Sequence, residues 1–208
     1  MRRSFLAIVV VIAALVIVAV LFWSYRESGS SKPGTQKFAE PSGNKVIPAR
    51  SASPPDDGNW TMPGKDYAST RFSALNQVTP ANVGKLQVAF TFSTGTTEGF
   101  EAPPLVVNDT MYVVAPWPNN VFALDLTKPG APAKWVYEPK PAAAAKGVAC
   151  CGPVNRGAVY ADGRLFFNVL DGNTVAVDAA SGKEVWRAKI ADIQRGETLT
   201  MAPLVADG

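Results

Sequence analysis

Cys150 and Cys151 stand side by side, the two cysteines of a 208-residue chain, inside the run Ala149-Cys150-Cys151-Gly152-Pro153-Val154-Asn155-Arg156-Gly157. Adjacent thiols have two chemical states open to them. They can close into a disulfide, strained because consecutive Cα atoms lie about 3.8 Å apart, below the roughly 4.4–6.8 Å of ordinary bridges. They can equally stay reduced, since free cysteine packs readily as a small apolar group. The dipeptide alone leaves both states open. The chain contains no histidine, which removes imidazole acid–base chemistry and imidazole metal ligands from it.

The compartment bears on that choice. After Met1-Arg2-Arg3-Ser4 the chain runs without a charge from Phe5 to Trp23, rich in Val, Ala, Ile and Leu. Such a run is long enough to cross a membrane as a helix, and Leu21-Phe22-Trp23-Ser24-Tyr25-Arg26 offers bulky residues where a signal-peptidase site has a small-x-small pattern. The expectation is an uncleaved signal anchor over residues 5–23, with residues 1–4 in the cytoplasm by the positive-inside rule. Everything after it is then exported, and an oxidising exterior makes a Cys150–Cys151 bridge chemically accessible. Residues 24–58, rich in Ser, Gly, Pro and Lys, read as a flexible linker. A net charge of +3 with no basic face gives no ground for a nucleic-acid partner.

From Asn59 onward short apolar runs alternate with Gly, Pro, Asn and Asp, an all-β pattern. It predicts strands at Gln87–Phe92, Pro104–Val107, Met111–Ala115, Val121–Leu126, Lys134–Tyr137, Gly157–Ala161, Arg164–Val169, Thr174–Asp178 and Glu184–Arg187. A turn is expected over Thr79–Lys85. Asn108-Asp109 and Asp162-Gly163 read as two-residue hairpin loops, and Ala206-Asp207-Gly208 as the next of the series. Asp109, Asp162 and Asp207 lie 53 and 45 residues apart, the spacing of four-stranded propeller blades. Ala176-Val177-Asp178 to Trp186 has the form A-x-D-x-x-[ST]-G-x-x-x-W, with a looser copy from Ala123-Leu124-Asp125 to Trp135. The tryptophans are expected to end outer strands and to pack on the neighbouring repeat. Two blades cannot close a ring, so residues 59–208 read as the N-terminal part of a longer propeller.

The chain resembles the pyrroloquinoline quinone (PQQ) dependent alcohol dehydrogenases, methanol and ethanol dehydrogenases included. The resemblance is carried by the tryptophan repeat and by ordered landmarks: Gly64-Lys65-Asp66 with Arg71-Phe72-Ser73, Gly99-Phe100-Glu101-Ala102-Pro103-Pro104-Leu105, Cys150-Cys151 with Val154-Asn155-Arg156-Gly157, and Thr198-Leu199-Thr200-Met201-Ala202-Pro203. It implies the N-terminal blades of an eight-bladed quinoprotein propeller. It also implies that Cys150 and Cys151 form a vicinal disulfide over one face of the quinone. Arg156 then pairs with a PQQ carboxylate, Glu101 lies at the rim of the cofactor site, and Thr200, in preference to Thr198, reaches a cofactor oxygen.

The activity so implied is oxidation of primary alcohols to aldehydes by PQQ with a calcium or lanthanide ion, electrons passing to cytochrome c or a quinone. The metal ligands and the catalytic base are expected after residue 208, so no catalytic or metal-binding residue is assigned within this chain. The implied location is the bacterial inner membrane with the propeller in the periplasm, or a secreted periplasmic form if the leader is cleaved. The alternative reading is a non-enzymatic periplasmic propeller that scaffolds outer-membrane protein assembly. Cys150, Cys151, Arg156 and Glu101 weigh against it, because a scaffold has no use for a strained bridge beside a paired arginine.

Overall fold

Tight turns set the register of everything that follows. Val107 pairs with Thr110 across Asn108-Asp109, and Ala161 pairs with Arg164 across Asp162-Gly163. Asn108, Asp162 and Gly163 all take positive φ (52°, 47° and 73°), which short polar residues and glycine tolerate and which matches the twist of a hairpin. The computed structural model describes residues 58–206. The expected membrane anchor (5–23), the linker apart from Gly58, and the turn at Asp207 lie outside the described residues. Among the described residues no helix is long and apolar enough to cross a membrane.

Two four-stranded antiparallel sheets result, each with strands in sequence order. The first contains β1 (Leu105–Val107), β2 (Thr110–Val114), β3 (Val121–Asp125) and β4 (Ala133–Tyr137). The second contains β5 (Ala158–Ala161), β6 (Arg164–Val169), β7 (Asn173–Asp178) and β8 (Glu184–Lys189). Eight of the nine expected strands are present, shifted by two residues at most, in an arrangement consistent with part of a β-propeller. The repeat extends to its irregularities. Both sheets change register at the same point of the motif, between Ala123 and Leu124 and between Ala176 and Val177.

The Asp of each motif builds the turn after it. Asp125 Oδ1 accepts from the Thr127 amide (3.1 Å) and hydroxyl (2.5 Å), and Asp178 Oδ1 accepts from the Ser181 amide (2.8 Å) and hydroxyl (2.6 Å). These bonds hold both carboxyls below the usual carboxylate range, Asp125 at about 2, where the Thr127 hydroxyl and then Lys128 favour the charged form.

The sheets pack face to face. Leu105, Tyr112, Val114 and Val121 of the first meet Leu165, Phe167, Val169 and Val175 of the second in one buried cluster. Fully burying a side chain such as Phe167 contributes about 1.5–3 kcal/mol. Trp135 of β4 then reaches across. Its Nε1 donates to the Ala179 carbonyl (3.1 Å), which also accepts from the Tyr112 hydroxyl (3.2 Å), and its ring lies over Gly182. Neither tryptophan ends its strand, contrary to expectation: β4 continues to Tyr137 and β8 to Lys189. Trp186, the equivalent in the second sheet, touches Phe166 and stays 40% exposed.

One expected strand is absent. In Gln87–Phe92 the apolar residues Val88, Phe90 and Phe92 recur at every second position, as on one face of a strand; Phe90 and Phe92 pack on the outer face of the first sheet while Val88 stays exposed, and among the described residues the segment has no ladder partner. Alternation specifies a face, and only a neighbour's backbone makes a strand. The turn expected over Thr79–Lys85 is present and tightens into a 3₁₀ helix at Val83–Lys85.

A Cβ at Gly182 would lie 2.6 Å from Trp135 Cδ2, whereas one at Gly163 would meet nothing within 4 Å, and the two glycines share φ (70° and 73°). Gly163→Ala should therefore cost only the left-handed strain of about 1–2 kcal/mol. Gly182→Ala should cost about 1–3 kcal/mol more through overpacking, and thermal unfolding of the pair measures the difference. Because Asp125 has a depressed folded-state pKa, its contribution is intact above about 3.8, the unfolded value, and is lost as pH falls through about 2. Asp125→Asn should flatten the acid limb of a stability–pH curve over that window.

Candidate functional site

The loop Val154-Asn155-Arg156-Gly157 enters β5, and its shape is set by one buried amide. Asn155 is fully buried; its Nδ2 donates to the Asn168 carbonyl on β6 (2.9 Å) and its Oδ1 accepts from the Gly157 amide (2.9 Å). Gly157 supplies the positive φ of 107° that closes the loop. With Asn155 and Val154 turned inward, Arg156 points outward.

Arg156 draws three segments together. Its amide donates to the Thr200 carbonyl (2.9 Å), its Nη1 donates to Thr200 Oγ1 (2.7 Å), and its Nη2 pairs with Glu101 Oε2 (3.0 Å). Glu101 faces outward because its neighbour Ala102 is buried in the core just before β1. The Arg156 and Glu101 side chains are 46% and 44% exposed, so their pairing is worth only about 0–1 kcal/mol. It orients a cation; it does not hold the fold.

Cys150 and Cys151 sit between a short helix, α1 (Ala145–Val148), and this loop. Both are exposed, and their Sγ atoms lie 3.0 Å apart, hydrogen-bonded thiols beyond the roughly 2.05 Å of a bond. The segment is tied on both sides. Lys146 of α1 pairs with Glu98 (2.5 Å), and the Pro153 carbonyl accepts from the Trp117 amide (2.9 Å). The Cys151 thiol is held above its ordinary pKa, first by its hydrogen bond with Cys150, then by the charge of that neighbour and a slight loss of solvation. Arg156 acts in the opposite direction, and Glu101 adds to the rise. The sulfur thus lies within the field of the Arg156–Glu101 pair.

A half-exposed guanidinium, an adjacent hydroxyl and a polarizable sulfur pair form a donor set for a flat anion: a fork for a carboxylate, a hydroxyl for an oxygen and a sulfur surface for a ring face. Among the described residues no group of three or more His, Cys, Asp or Glu side chains could hold a metal ion. A shallow depression lined by Lys189, Ile190, Ala191, Asp192, Arg195 and Glu197 includes none of these residues.

Residues 60–187 match the family model described as the glucose/ethanol/alcohol dehydrogenase β-propeller domain that uses PQQ. The chain belongs to the PQQ-dependent alcohol dehydrogenase family. It is 51% identical over 150 residues to a lanthanide-dependent methanol dehydrogenase of Methylacidiphilum fumariolicum, covering 72% of this chain and 24% of that protein. It is 47% identical over 155 residues to methanol dehydrogenase (cytochrome c) subunit 1 of Methylorubrum extorquens, covering 72% of this chain and 25% of the relative. Among solved structures, a europium-containing methanol dehydrogenase superposes with a TM-score of 0.71 at 49% identity, over 74% of this chain and 27% of that one. The chain thus spans about a quarter of the length of these relatives.

Glu101, Arg156 and Thr200, singled out in the sequence, meet in space, and Cys150 and Cys151 stand beside them. Thr200 rather than Thr198 carries the hydroxyl bonded to Arg156. Sequence reasoning missed Asn155 as the residue that shapes the loop, and it missed α1 with its Lys146–Glu98 pair. An amide directly before the arginine, in an otherwise apolar stretch, was the available signal for Asn155. Asn155→Ala would leave the Gly157 amide and one lone pair of the Asn168 carbonyl without their partner. An expected loss of about 2 kcal/mol or more follows, measurable as a lower denaturant midpoint at unchanged slope.

Proposed function

We propose that this chain is the cofactor-covering portion of a quinoprotein alcohol dehydrogenase that oxidises primary alcohols to aldehydes with PQQ and a calcium or lanthanide ion. The observation that carries this reading is the convergence of Arg156, Glu101 and Thr200 beside adjacent cysteines in a chain of this family. The donor set fits the cofactor: a guanidinium with weak existing pairing is matched to a carboxylate of a polyanionic quinone. PQQ, when bound, supplies a two-electron acceptor for the alcohol. Arg156 binds and orients one carboxylate, Thr200 donates its hydroxyl to a neighbouring oxygen, and Glu101 keeps the guanidinium aimed and partly neutralised.

Cys150 and Cys151 cover one face and exclude water from it. Their oxidation to a bridge releases two protons and two electrons to the oxidising machinery of the exported compartment and makes a flatter cover. In this reading the ligands of the ion lie in the remainder of the full protein. Electrons pass to cytochrome c, in keeping with the relative from Methylorubrum extorquens that is named for that acceptor, or to a quinone. Residues 59–208 are then the first blades of an eight-bladed propeller, exported to the periplasm and tethered by residues 5–23 through the 24–58 linker, with residues 1–4 in the cytoplasm.

In the full-length protein supplied with its metal, Arg156→Lys should weaken PQQ binding about 10–100-fold, the value of a charge-assisted hydrogen bond. Titration of the apoprotein followed by quinone absorbance reads the effect, and dye-linked oxidation of a primary alcohol reads activity. Absence of PQQ uptake by the wild-type protein would overturn the assignment. Reduction of the exported protein should add about two daltons if the cysteines are bridged. An unchanged mass would overturn the reading of Cys150 and Cys151 as a bridged lid over the quinone.

A further inference from the structure

We propose that Asn168 is a positioning residue for this cofactor clamp, its backbone holding the loop of Arg156 and its side chain the loop of Thr200. The inference rests on the reading of Arg156 and Thr200 as PQQ-binding groups. Asn168 is 4% exposed near the end of β6. Its carbonyl accepts from Asn155 Nδ2 (2.9 Å), which shapes the Val154–Gly157 loop. Its own Nδ2 donates to the Met201 carbonyl (2.9 Å), one residue from Thr200, and its Oδ1 accepts from the Thr174 hydroxyl (2.8 Å). One residue thus sets the separation of the two loops that Arg156 and Thr200 must bridge.

The repeat shows that the sheet itself has no need of this amide. Counting from the hairpins, Asn168 opposite Thr174 in the second sheet corresponds to Val114 opposite Val121 in the first. Where the first sheet has an apolar pair, the second has a buried amide and a half-buried hydroxyl. Such a pair is costly unless every polar atom is satisfied. Here each is satisfied, and the amide spends its donor on the Thr200 segment. Thr174 supplies the donor that Asn168 Oδ1 requires while Nδ2 faces Met201.

The test uses the full-length protein carrying Asn168→Val with Thr174→Val, which copies the apolar pair of the first sheet, together with Thr174→Val and Thr174→Ser alone. The double variant should keep its thermal midpoint and the slow amide exchange of β6 and β7. Exchange at the Arg156 amide, which is bonded to Thr200, should speed up about tenfold, and PQQ affinity should fall about tenfold, the worth of one hydrogen bond. Thr174→Val should show a smaller shift of both in the same direction, and it carries the test should the double variant not fold. Thr174→Ser should restore wild-type values. If wild-type protein takes up no PQQ, the functional reading falls and the positioning role with it. If wild type binds PQQ and the folded valine variants match it in affinity and in Arg156 exchange, the positioning role alone is overturned.

Discussion

The contact of Trp135 with Gly182 is the joint on which the described structure depends. It couples an outer strand of one sheet to the β7–β8 turn of the next, with the Ala179 carbonyl taking hydrogen bonds from both Trp135 and Tyr112. Gly182 has no side chain because the indole occupies that space. Apolar burial between the sheets is larger in total, but it is non-directional and would tolerate sliding. The indole bond and the ring's seat on glycine fix the angle and register of one sheet on the other.

That register is what the candidate site inherits. Glu101 leads into β1 and Arg156 into β5, so their 3.0 Å contact measures how the two sheets are set side by side. Residues 59–61 reinforce the joint from the other direction. Trp60 forms a bridge with Val106 of β1, while the Thr61 carbonyl accepts from the Tyr160 amide of β5 (2.7 Å). A site assembled from loops becomes precise only when the elements beneath it are rigid. Here both the tryptophan joint and this short crossing segment supply that rigidity.

The repeat made most of the fold legible in the sequence. Hairpin turns, alternating apolar residues and the A-x-D motif each report local physics, and local physics decided eight strands. Gln87–Phe92 failed because its pattern was right for a face and silent about a partner. The turn spacing misled slightly for a similar reason: Asp109 is the second residue of its hairpin loop and Asp162 the first of its own, so counting aspartates compared unlike positions. At the site, the family resemblance picked out the charged members, Glu101 and Arg156, because the motifs that carry them are visible in one dimension. Asn155 and Asn168 were invisible there. Their importance lies in which distant carbonyl each amide meets, a fact of tertiary structure alone.

The division of labour at Arg156 follows from these magnitudes. An ion pair between half-exposed groups contributes about 0–1 kcal/mol, too little to hold a loop against its own entropy. The backbone bond to Thr200 and the buried amide of Asn155 do that instead, leaving the guanidinium fixed in position yet weakly committed in pairing. A cation held rigidly by its main chain and loosely by its side chain can take an anionic ligand with little reorganisation, because the costs of ordering the loop have already been met in folding. Strong burial of the pair would have reversed this, since separating two desolvated charges costs several kcal/mol. The exposure of Arg156 and Glu101 is therefore a requirement of the binding role proposed for them.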